Sequence, residues 1–446
     1  MYCDMSSKKP HLNLIVTGHV DHGKSTLVGH LLFDMGAIDQ RTIDEYAKES
    51  EKTGKGDTFK FAWVLDRLKD ERERGVTIDL AFQKFETKKY FFTLIDAPGH
   101  RDFVKNMITG ASEADCAVLV ISASTGETQV AVDPGGQGRE HAFLLRTLGV
   151  NQLVVAINKM DDQLVNYKKE RYEEVKGIVE NLLKGVGYDT KKIKFVPTSG
   201  WKGDNLVKKS ENMKWYDGPT LLDALDEFTE PEKPTGKPLR IPVQDVYSIT
   251  GVGTVPVGRV ETGTMKPNDK IITMPEGVVG EVKSIETHHT QMPEAVAGDN
   301  IGFNVRGIDK KQIKRGDVVG TPDNPPTVAK EFKAQVILIF HPTAIAPGYT
   351  PVLHAHTAQV AATITEFVAK IDPRSGQIVE EKPKFLKSGD SAIVKIRPVR
   401  PLCIETFKEY PELGRFALRD MGTTIAAGVV QEITEKFTAE KVAAKA

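Results

Sequence analysis

The glycine-rich segment GHVDHGKST, residues 18–26, restricts the fold of this chain more than any other feature. It follows the apolar run LNLIVT and precedes the helical pattern LVGHLLF. A Gly-x4-Gly-Lys-Ser loop between a strand and a helix directs successive backbone N–H groups at phosphate oxygens. Gly18 and Gly23 allow the tight turn. Lys24 would reach the β- and γ-phosphates, and the Ser25 hydroxyl would bind Mg²⁺. The segment predicts a nucleotide-binding α/β domain.

The rest of the first half fits such a domain, which we place at residues 1–229. Amphipathic stretches such as 139–149 and 167–186 predict helices, and Pro219 predicts the first position of a closing helix. The apolar runs between such stretches are typical of buried parallel strands and lie at residues 12–17, 90–96, 116–122, 153–157 and 194–197. Strands and helices in alternation predict a doubly wound, mostly parallel sheet covered on both faces.

The second half has a different texture. Residues 230–238 contain three prolines and predict a semi-rigid linker. Beyond it, short β-branched segments with frequent Gly and Pro are typical of small β-barrels or sandwiches. A break near DNPPT divides them into units at residues 239–325 and 326–437, and residues 438–446 form a tail.

A second motif, LIDAPGH at residues 94–100, ends another apolar strand. Asp96 at the strand end can hold the Mg²⁺ shell. Gly99 lets its backbone N–H approach the γ-phosphate. The Asp-x-x-Gly motif alone is a weak indication of a nucleotide site. It becomes a strong one here because it follows the phosphate loop in the expected order.

The third motif, AINKMD, follows the strand at residues 153–157. Asp161 can accept hydrogen bonds from the guanine N1–H and N2 amino group, a donor pair that adenine lacks. Lys159 can lie along the base, and Asn158 can tie the loops together. Because the three motifs occur together, the sequence predicts a guanine-nucleotide site.

The segment TSGW, after the strand at residues 194–197, is placed to offer a backbone N–H to the guanine O6. The residues expected to line the nucleotide are Gly18, His19, Val20, Asp21, His22, Gly23, Lys24, Ser25, Thr26, Asp96, Gly99, Asn158, Lys159, Met160, Asp161, Ser199, Gly200 and Trp201.

A polar insertion, residues 34–75, separates the first two motifs and ends before Thr77. The charged stretch at residues 67–74 predicts a solvated helix. The Thr77 hydroxyl could complete the Mg²⁺ shell only when a γ-phosphate is present. The segment would then act as an order–disorder switch.

Composition excludes several classes of protein. Sixty Lys and Arg balance 61 Asp and Glu, so the chain has no bulk basic field for indiscriminate nucleic-acid binding. Cys3, Cys116 and Cys403 lie far apart, which suits a reducing cytosol. No apolar run is long enough to span a membrane, the N-terminus shows no secretory signal, and we expect Met5 to be the usual start.

The motifs GHVDHGKST, RERGVTI, DAPGHRDFVKNMITGAS, NKMD and SGW, in this order, resemble those of the translational GTPases. Within that group the chain resembles the elongation factor 1-alpha family of archaea and eukaryotes, which is related to bacterial elongation factor Tu. The segments at residues 246–263, 297–307 and 419–430 are similar to that family's two β-barrels. The resemblance covers nearly the whole chain.

The resemblance implies a GTPase that carries aminoacyl-tRNA to the ribosomal A site, hydrolyses GTP to GDP and phosphate on codon recognition, and lets go. GTP/GDP and Mg²⁺ would be its cofactors, with Ser25, Thr77 and Asp96 as metal ligands. It also implies a cytoplasmic monomer that does not bind membranes and works with a guanine-nucleotide exchange factor. Release or ribosome-rescue factors are additional candidate cargo.

Catalytic roles follow from the same resemblance. His100 would position the attacking water, which fits phosphoryl transfer because that reaction needs an in-line water more than a strong base. Asp21 would help to orient the site, together with Thr77. Val20 and Val76 match the apolar pair that screens the water.

The candidate residues for tRNA contact form less specific sequence patterns than the nucleotide motifs. Asn300 matches the region that holds the aminoacyl end, and Lys395, Arg397 and Arg400 are candidates for contact with the tRNA backbone. A solvated face is the plain alternative for these cations.

Two other segments stand out. His354 and His356 would share one face if HAHTAQV is a single strand. Residues 131–141 depart from the family in carrying extra Gly and Pro, and we expect them to lie away from the motifs.

Three alternatives remain at this point. One is a sister GTPase that loads a release or rescue factor, and another is the GTPase subunit of ATP sulfurylase. The third is a binding protein with an inactive nucleotide site, against which stand the intact Lys24, Ser25, Thr77, Asp96 and His100.

Overall fold

The computed structural model describes residues 9–52, 60–65, 81–100, 103–133, 135–287, 290–372 and 377–437. Several sequence predictions fall outside these residues: the helix at 67–74, Val76, the metal ligand Thr77, the start at Met5 and the tail at 438–446. The chain forms two compact units, one of residues 1–146 and 150–231, the other of residues 147–149 and 232–446.

The first unit is built on one sheet. Its strands are β1 (His11–Gly18), β2 (Ala81–Glu86), β3 (Phe91–Asp96), β4 (Cys116–Ser122), β5 (Gln152–Asn158) and β6 (Lys194–Pro197). Their order is β2-β3-β1-β4-β5-β6, and all are parallel except β2, which pairs antiparallel with β3. β4 is buried at every position. The predicted mostly parallel sheet is confirmed, and β2 is an edge strand that the sequence patterns did not reveal.

Helices connect these strands. They are α1 (Lys24–Asp34), α2 (Gln40–Lys52), α3 (Val104–Glu113), α4 (Glu127–Val132), α5 (Gln137–Leu148), α6 (Lys169–Val186) and α7 (Leu221–Leu225), with 3₁₀ turns at Ala62–Val64 and Thr190–Lys192. The prediction that Pro219 opens the last helix is wrong. Thr220 is the N-cap and its side chain accepts from the Asp223 N–H, so the proline precedes the cap.

The sheet determines where the motifs meet. Carboxyl ends of parallel strands lie along one edge of a sheet, and ligands bind there where the strand order reverses. Gly18 ends β1, Asp96 ends β3 and Asn158 ends β5. In the register of the sheet Val16 pairs with Asp96, and Ser122 at the end of β4 pairs with Asn158. The predicted motifs therefore lie at a common edge.

The second unit contains two closed β-barrels. The strands of the first are β7 (Ile241–Ile249), β8 (Gly253–Arg259), β9 (Thr264–Met265), β10 (Lys270–Met274), β11 (Val278–Thr287), β12 (Thr290–Met292), β13 (Ala295–Val296), β14 (Asn300–Arg306) and β15 (Val318–Gly320), and a 3₁₀ turn lies at Lys310–Gln312. The ring runs β10-β15-β7-β8-β14-β11 and closes because β11 also pairs with β10.

The strands of the second barrel are β16 (Val328–Leu338), β17 (Val352–Ala355), β18 (Ala358–Ile371), β19 (Ile378–Glu381), β20 (Ser391–Pro398), β21 (Leu402–Cys403), β22 (Arg415–Asp420) and β23 (Thr423–Lys436). The ring runs β17-β22-β23-β16-β20-β18 and closes through the β17–β18 pairing. Of the two predicted solutions, barrels and sandwiches, the structure contains barrels.

The hairpin between β17 and β18 corrects one prediction. HAHTAQV is not a single strand, because the chain turns at His356, whose φ is +42°. The buried His356 ring places Nε2 2.9 Å from the Cys403 carbonyl oxygen, and burial lowers its pKa to about 4. His356 is therefore a neutral structural residue. Among the described residues, no helix is long and apolar enough to cross a membrane.

Candidate functional site

The predicted phosphate loop connects β1 to α1. Gly23 caps α1 with φ +80°, a left-handed conformation that favours glycine, and a Cβ there would lie 2.7 Å from Asn158 Nδ2. The Leu27 N–H then donates to the Gly23 carbonyl at 2.9 Å as the helix begins. The helix thus begins directly at the loop, the geometry of an anion-binding helix terminus.

Lys24 is the buried cation of this loop. Its ammonium donates to the His19 carbonyl at 2.7 Å. Burial lowers its pKa to about 8, partly offset by the charges of Asp96 and Asp21. A Cβ on Gly99 would lie only 2.2 Å from Lys24 Nζ, so a larger residue there would push the lysine ammonium out of its observed position. The second motif therefore packs directly on the phosphate-loop lysine.

Ser25 and Asp96 meet beside this lysine. Ser25 Oγ donates to Asp96 Oδ2 at 3.2 Å, and the Asp96 side chain is fully buried at the end of β3. A hydroxyl and a carboxylate at one point supply the hard oxygen donors that Mg²⁺ prefers.

Asn158 joins three loops. Its Nδ2 donates to the His22 carbonyl at 2.9 Å, and its Oδ1 accepts from the Gly200 N–H at 2.8 Å and from Thr198 Oγ1 at 3.3 Å. Because both amide ends are buried and used, this side chain orients the phosphate loop and the TSGW loop relative to NKMD.

The rest of NKMD forms a constrained turn. Lys159 has φ +62°, and its ammonium lies 2.8 Å from the Glu127 carboxylate. The buried Met160 donates its N–H to the Thr198 carbonyl at 3.1 Å. Asp161 follows and is half-buried. In the neighbouring loop, Ser199 Oγ accepts from the Lys202 N–H at 2.9 Å.

His22 links the phosphate loop to β4. The Ser122 N–H lies 3.1 Å from Nδ1 of the buried His22 ring. Burial, reinforced by the charge of Lys24, lowers the pKa of His22 to about 3. The ring is therefore neutral and acts as an acceptor at this contact.

Comparison with known proteins identifies the family of this chain. The profile of the Elongation factor Tu GTP binding domain matches residues 9–231, that of Elongation factor Tu domain 2 matches residues 253–320, and that of the GTP-eEF1A C-terminal domain-like family matches residues 331–431. Elongation factor 1-alpha of Cenarchaeum symbiosum is 72% identical over 428 residues, which cover 96% of this chain and 98% of the relative. The chain belongs to the elongation factor 1-alpha family.

A second relative agrees with that membership. Elongation factor 1-alpha of Thermofilum pendens is 63% identical over 430 residues, covering 96% of this chain and 99% of the relative. Among solved structures, the Ski7 GTPase-like domain of S. cerevisiae is similar in fold, with a TM-score of 0.79 at 19% identity, covering 95% of this chain and 97% of that one. As a member of the elongation factor 1-alpha family, the protein binds guanine nucleotide and is a GTPase of translation elongation.

Two of the three predicted catalytic residues of this elongation factor 1-alpha family member, His100 and Asp21, lie in or next to the segments around Lys24. His100 follows Gly99 and is half-buried, with its ring centroid 5.8 Å from that of Phe103. Asp21 is exposed with φ +59°, and Val20 is half-buried in the same loop. The third predicted catalytic residue, Thr77, lies outside the described residues.

The predicted tRNA-contact residues lie on the barrels. Asn300 begins β14, and its carbonyl accepts from Thr287 Oγ1 at 2.9 Å. Lys395 pairs with Glu366 at 2.7 Å, and Arg397 pairs with Glu331 at 2.8 Å. Arg400 is exposed beyond β20. The two cations on β20 thus already have carboxylate partners.

Two residues outside the predicted motifs contact the phosphate-loop region. Gln137 Oε1 accepts from the Val20 N–H at 3.4 Å, and His141 Nδ1 lies 2.7 Å from Thr17 Oγ1; both side chains are buried. The prediction that residues 131–141 lie away from the motifs is therefore wrong. The two residues are four apart and share one face of α5, which is the sequence signal that could have identified them.

Proposed function

We propose that this protein carries aminoacyl-tRNA, with GTP bound, to the ribosomal A site and releases it after GTP hydrolysis on codon recognition. The observation that carries the proposal is the convergence of Lys24, Asp96 and Asn158 at one edge of the sheet. A carrier of this kind needs a nucleotide site whose phosphate end and base end are joined, and Asn158 bonds to the loops proposed for both ends.

The proposed guanine pocket consists of NKMD and SGW. Asp161 accepts from the base N1–H and N2 amino group, while the loop of Ser199, Gly200 and Trp201 supplies a backbone N–H for O6. The Lys159 stem lies along the base. The phosphates lie in the loop at residues 18–26, held by its N–H groups and by Lys24.

The proposed Mg²⁺ ligands are Ser25 and Asp96, with Thr77 completing the set. The oxygen donors fit this ion. Mg²⁺ in proteins usually keeps several waters and takes one or two protein oxygens together with phosphate oxygens. Bound there, the ion would neutralise charge on the β- and γ-phosphates.

In the proposed reaction a water attacks the γ-phosphorus in line. The bond to the β–γ bridging oxygen breaks, giving GDP and phosphate. His100 orients the water, with Asp21 and Thr77 supporting the geometry, and Lys24 stabilises the negative charge on the phosphates.

The proposed tRNA contacts are Asn300 for the aminoacyl end and Lys395, Arg397 and Arg400 for the backbone. Because Lys395 and Arg397 have carboxylate partners, phosphate would compete with Glu366 and Glu331 or bind the remaining N–H donors when tRNA binds. Removing one phosphate contact should reduce the salt slope of tRNA binding by about 1.

We propose a cytoplasmic monomer whose GDP is replaced with the help of an exchange factor.

Filter binding of charged and uncharged tRNA, each with GTP and with GDP, tests the function. We expect the protein to bind charged tRNA more tightly than uncharged tRNA, and only when GTP is present. Failure to bind either tRNA would contradict the proposal. The same assay with a release factor or a ribosome-rescue factor as competitor tests those proteins as additional cargo. Competition that depends on GTP would support shared carriage.

A further inference from the structure

The loop after β4 carries none of the predicted motifs, yet it lies at the centre of the site. β4 lies between β1, which leads into the phosphate loop, and β5, which leads into NKMD. Since the carboxyl ends of these parallel strands meet at one edge, the segment from Ala123 to Glu127 lies between the two loops.

This loop is bonded at two points to NKMD and at a third to Asp162, the residue after it. The Glu127 carboxylate accepts from Lys159 Nζ at 2.8 and 3.1 Å. Ser124 Oγ donates to Asp162 Oδ2 at 3.0 Å. The Ala123 N–H donates to the carbonyl of Asn158 at 2.8 Å.

Arg171 of α6 holds the loop from behind. Its guanidinium donates to the carbonyls of Ala123 and Ser124 at 2.7 and 3.3 Å and to Thr128 Oγ1 at 3.1 Å. The Thr128 hydroxyl in turn donates to the Ser122 carbonyl at 2.7 Å. Glu127, the first residue of α4, therefore projects from the end of a well-anchored loop.

We infer that Glu127 is a positioning residue for the guanine nucleotide, acting through Lys159. The inference rests on the proposed placement of the Lys159 stem along the base. A free lysine side chain loses rotamer freedom when it is ordered by a ligand, whereas one that is already held does not. Glu127 holds the ammonium, so the stem is ordered before the nucleotide arrives.

Charge repulsion could oppose this effect, so removing Glu127 could in principle either weaken or tighten nucleotide binding. A carboxylate near a polyphosphate also repels it, and removing that carboxylate would tighten nucleotide binding. Glu127 and Lys159 are 39% and 31% exposed, respectively, so salt screens any repulsion beyond about 8 Å at physiological ionic strength. The direct 2.8 Å contact is screened less, and the ordering of Lys159 dominates.

The first test is the release of tritium-labelled GDP, chased with excess unlabelled GDP, from the full chain. Glu127→Ala and Glu127→Gln should each release GDP faster, by about two- to fivefold for Ala, as expected for a half-exposed ion pair, and by less for Gln. The KM for GTP should rise with kcat unchanged. The matched control is Glu227→Ala, which loses a comparable 3.0 Å pair with Lys194 at the start of β6. It should leave release unchanged.

The second test is a double-mutant cycle with Lys159→Ala. If Glu127 acts through Lys159, Glu127→Ala should not accelerate release further in the Lys159→Ala background. Additive effects would overturn the inference. So would slower release that disappears at high salt, because that result would identify charge repulsion as the main role of Glu127.

The outcomes separate this inference from the proposed function. Wild-type protein that does not hold GDP would contradict the nucleotide site itself. Wild-type protein that holds GDP, with Glu127 variants that release it at the wild-type rate, would overturn only the role of Glu127. If Glu127→Ala unfolds at a lower temperature without nucleotide, the Glu127→Gln variant, which keeps the side-chain size, decides the question.

Discussion

The Arg240 guanidinium, at the start of the first barrel, is buried against the Glu405 carboxylate of the second, with Nε and Oε1 3.1 Å apart. Their side chains are 2% and 5% exposed. All five N–H donors of Arg240 are used, because the remaining four bond to Leu239, Asn324 and Pro325 oxygens. This ion pair joins the two barrels within the second unit.

Breaking this pair should destabilise the barrels. Glu405→Ala leaves a buried guanidinium without its counter-charge, and we expect a loss of about 3–5 kcal/mol in the free energy of unfolding. Amide hydrogen exchange in β7 and β16, with and without urea, measures this loss of stability. Glu227→Ala, which removes an exposed pair with Lys194, should cost below about 1 kcal/mol. An equal loss of stability in the two variants would contradict a stabilising role for the buried Arg240–Glu405 pair.

Asp161→Asn tests the base specificity. The amide offers a donor where guanine also offers donors, so GTP binding should weaken by about 2–4 kcal/mol. Xanthine carries an acceptor at position 2, and XTP should bind better than GTP to the variant. Competition of GTP and XTP for labelled GDP gives both affinities. Unchanged GTP selectivity would exclude Asp161 from the base pocket.

His100→Ala tests the catalytic assignment. Hydrolysis stimulated by the ribosome should slow by roughly 10³-fold or more, because the attacking water loses its orientation. Binding of charged tRNA with GTP should not change. Single-turnover phosphate release with programmed ribosomes measures the rate. Normal stimulated turnover would remove His100 from the site.

Asp317 should make barrel stability depend on pH. Its buried carboxylate accepts from the Lys314 N–H at 2.9 Å. Burial, partly offset by Lys314, raises its pKa from 3.8 to about 7. Between these values the folded protein holds a proton that the unfolded chain has lost. Stability from this group is therefore present at low pH and decreases as the pH rises through that window.

Asp317→Asn removes this titration and keeps a hydrogen-bond acceptor. At pH 8 the variant should be more stable than the wild type by about 1–3 kcal/mol, and the difference should shrink towards pH 5. Thermal unfolding across this pH range measures it. Asp269→Asn is the control, since Asp269 accepts from the Lys266 N–H at 2.7 Å in a similar but less buried turn. A difference that does not vary with pH would refute the prediction for Asp317.

Sequence patterns predicted what depends on local spacing. The alternation of apolar runs and helical stretches predicted the mostly parallel sheet, and GHVDHGKST predicted a loop that leads into α1. The sequence patterns did not predict the edge strand β2, because AFQKFE contains polar residues and pairs with the sheet on one side only. His356 was misread because a turn with positive φ gives no signal in HAHTAQV.

The sequence by itself determined the motifs and their order along the chain, and it predicted which residues contact a nucleotide, because motif spacing and apolar periodicity are local properties. Only the tertiary structure decided that Gln137 reaches Val20 and that Glu127 reaches Lys159. Those partners are 117 and 32 residues apart. Their meeting depends on strand order in the sheet, which local patterns do not encode.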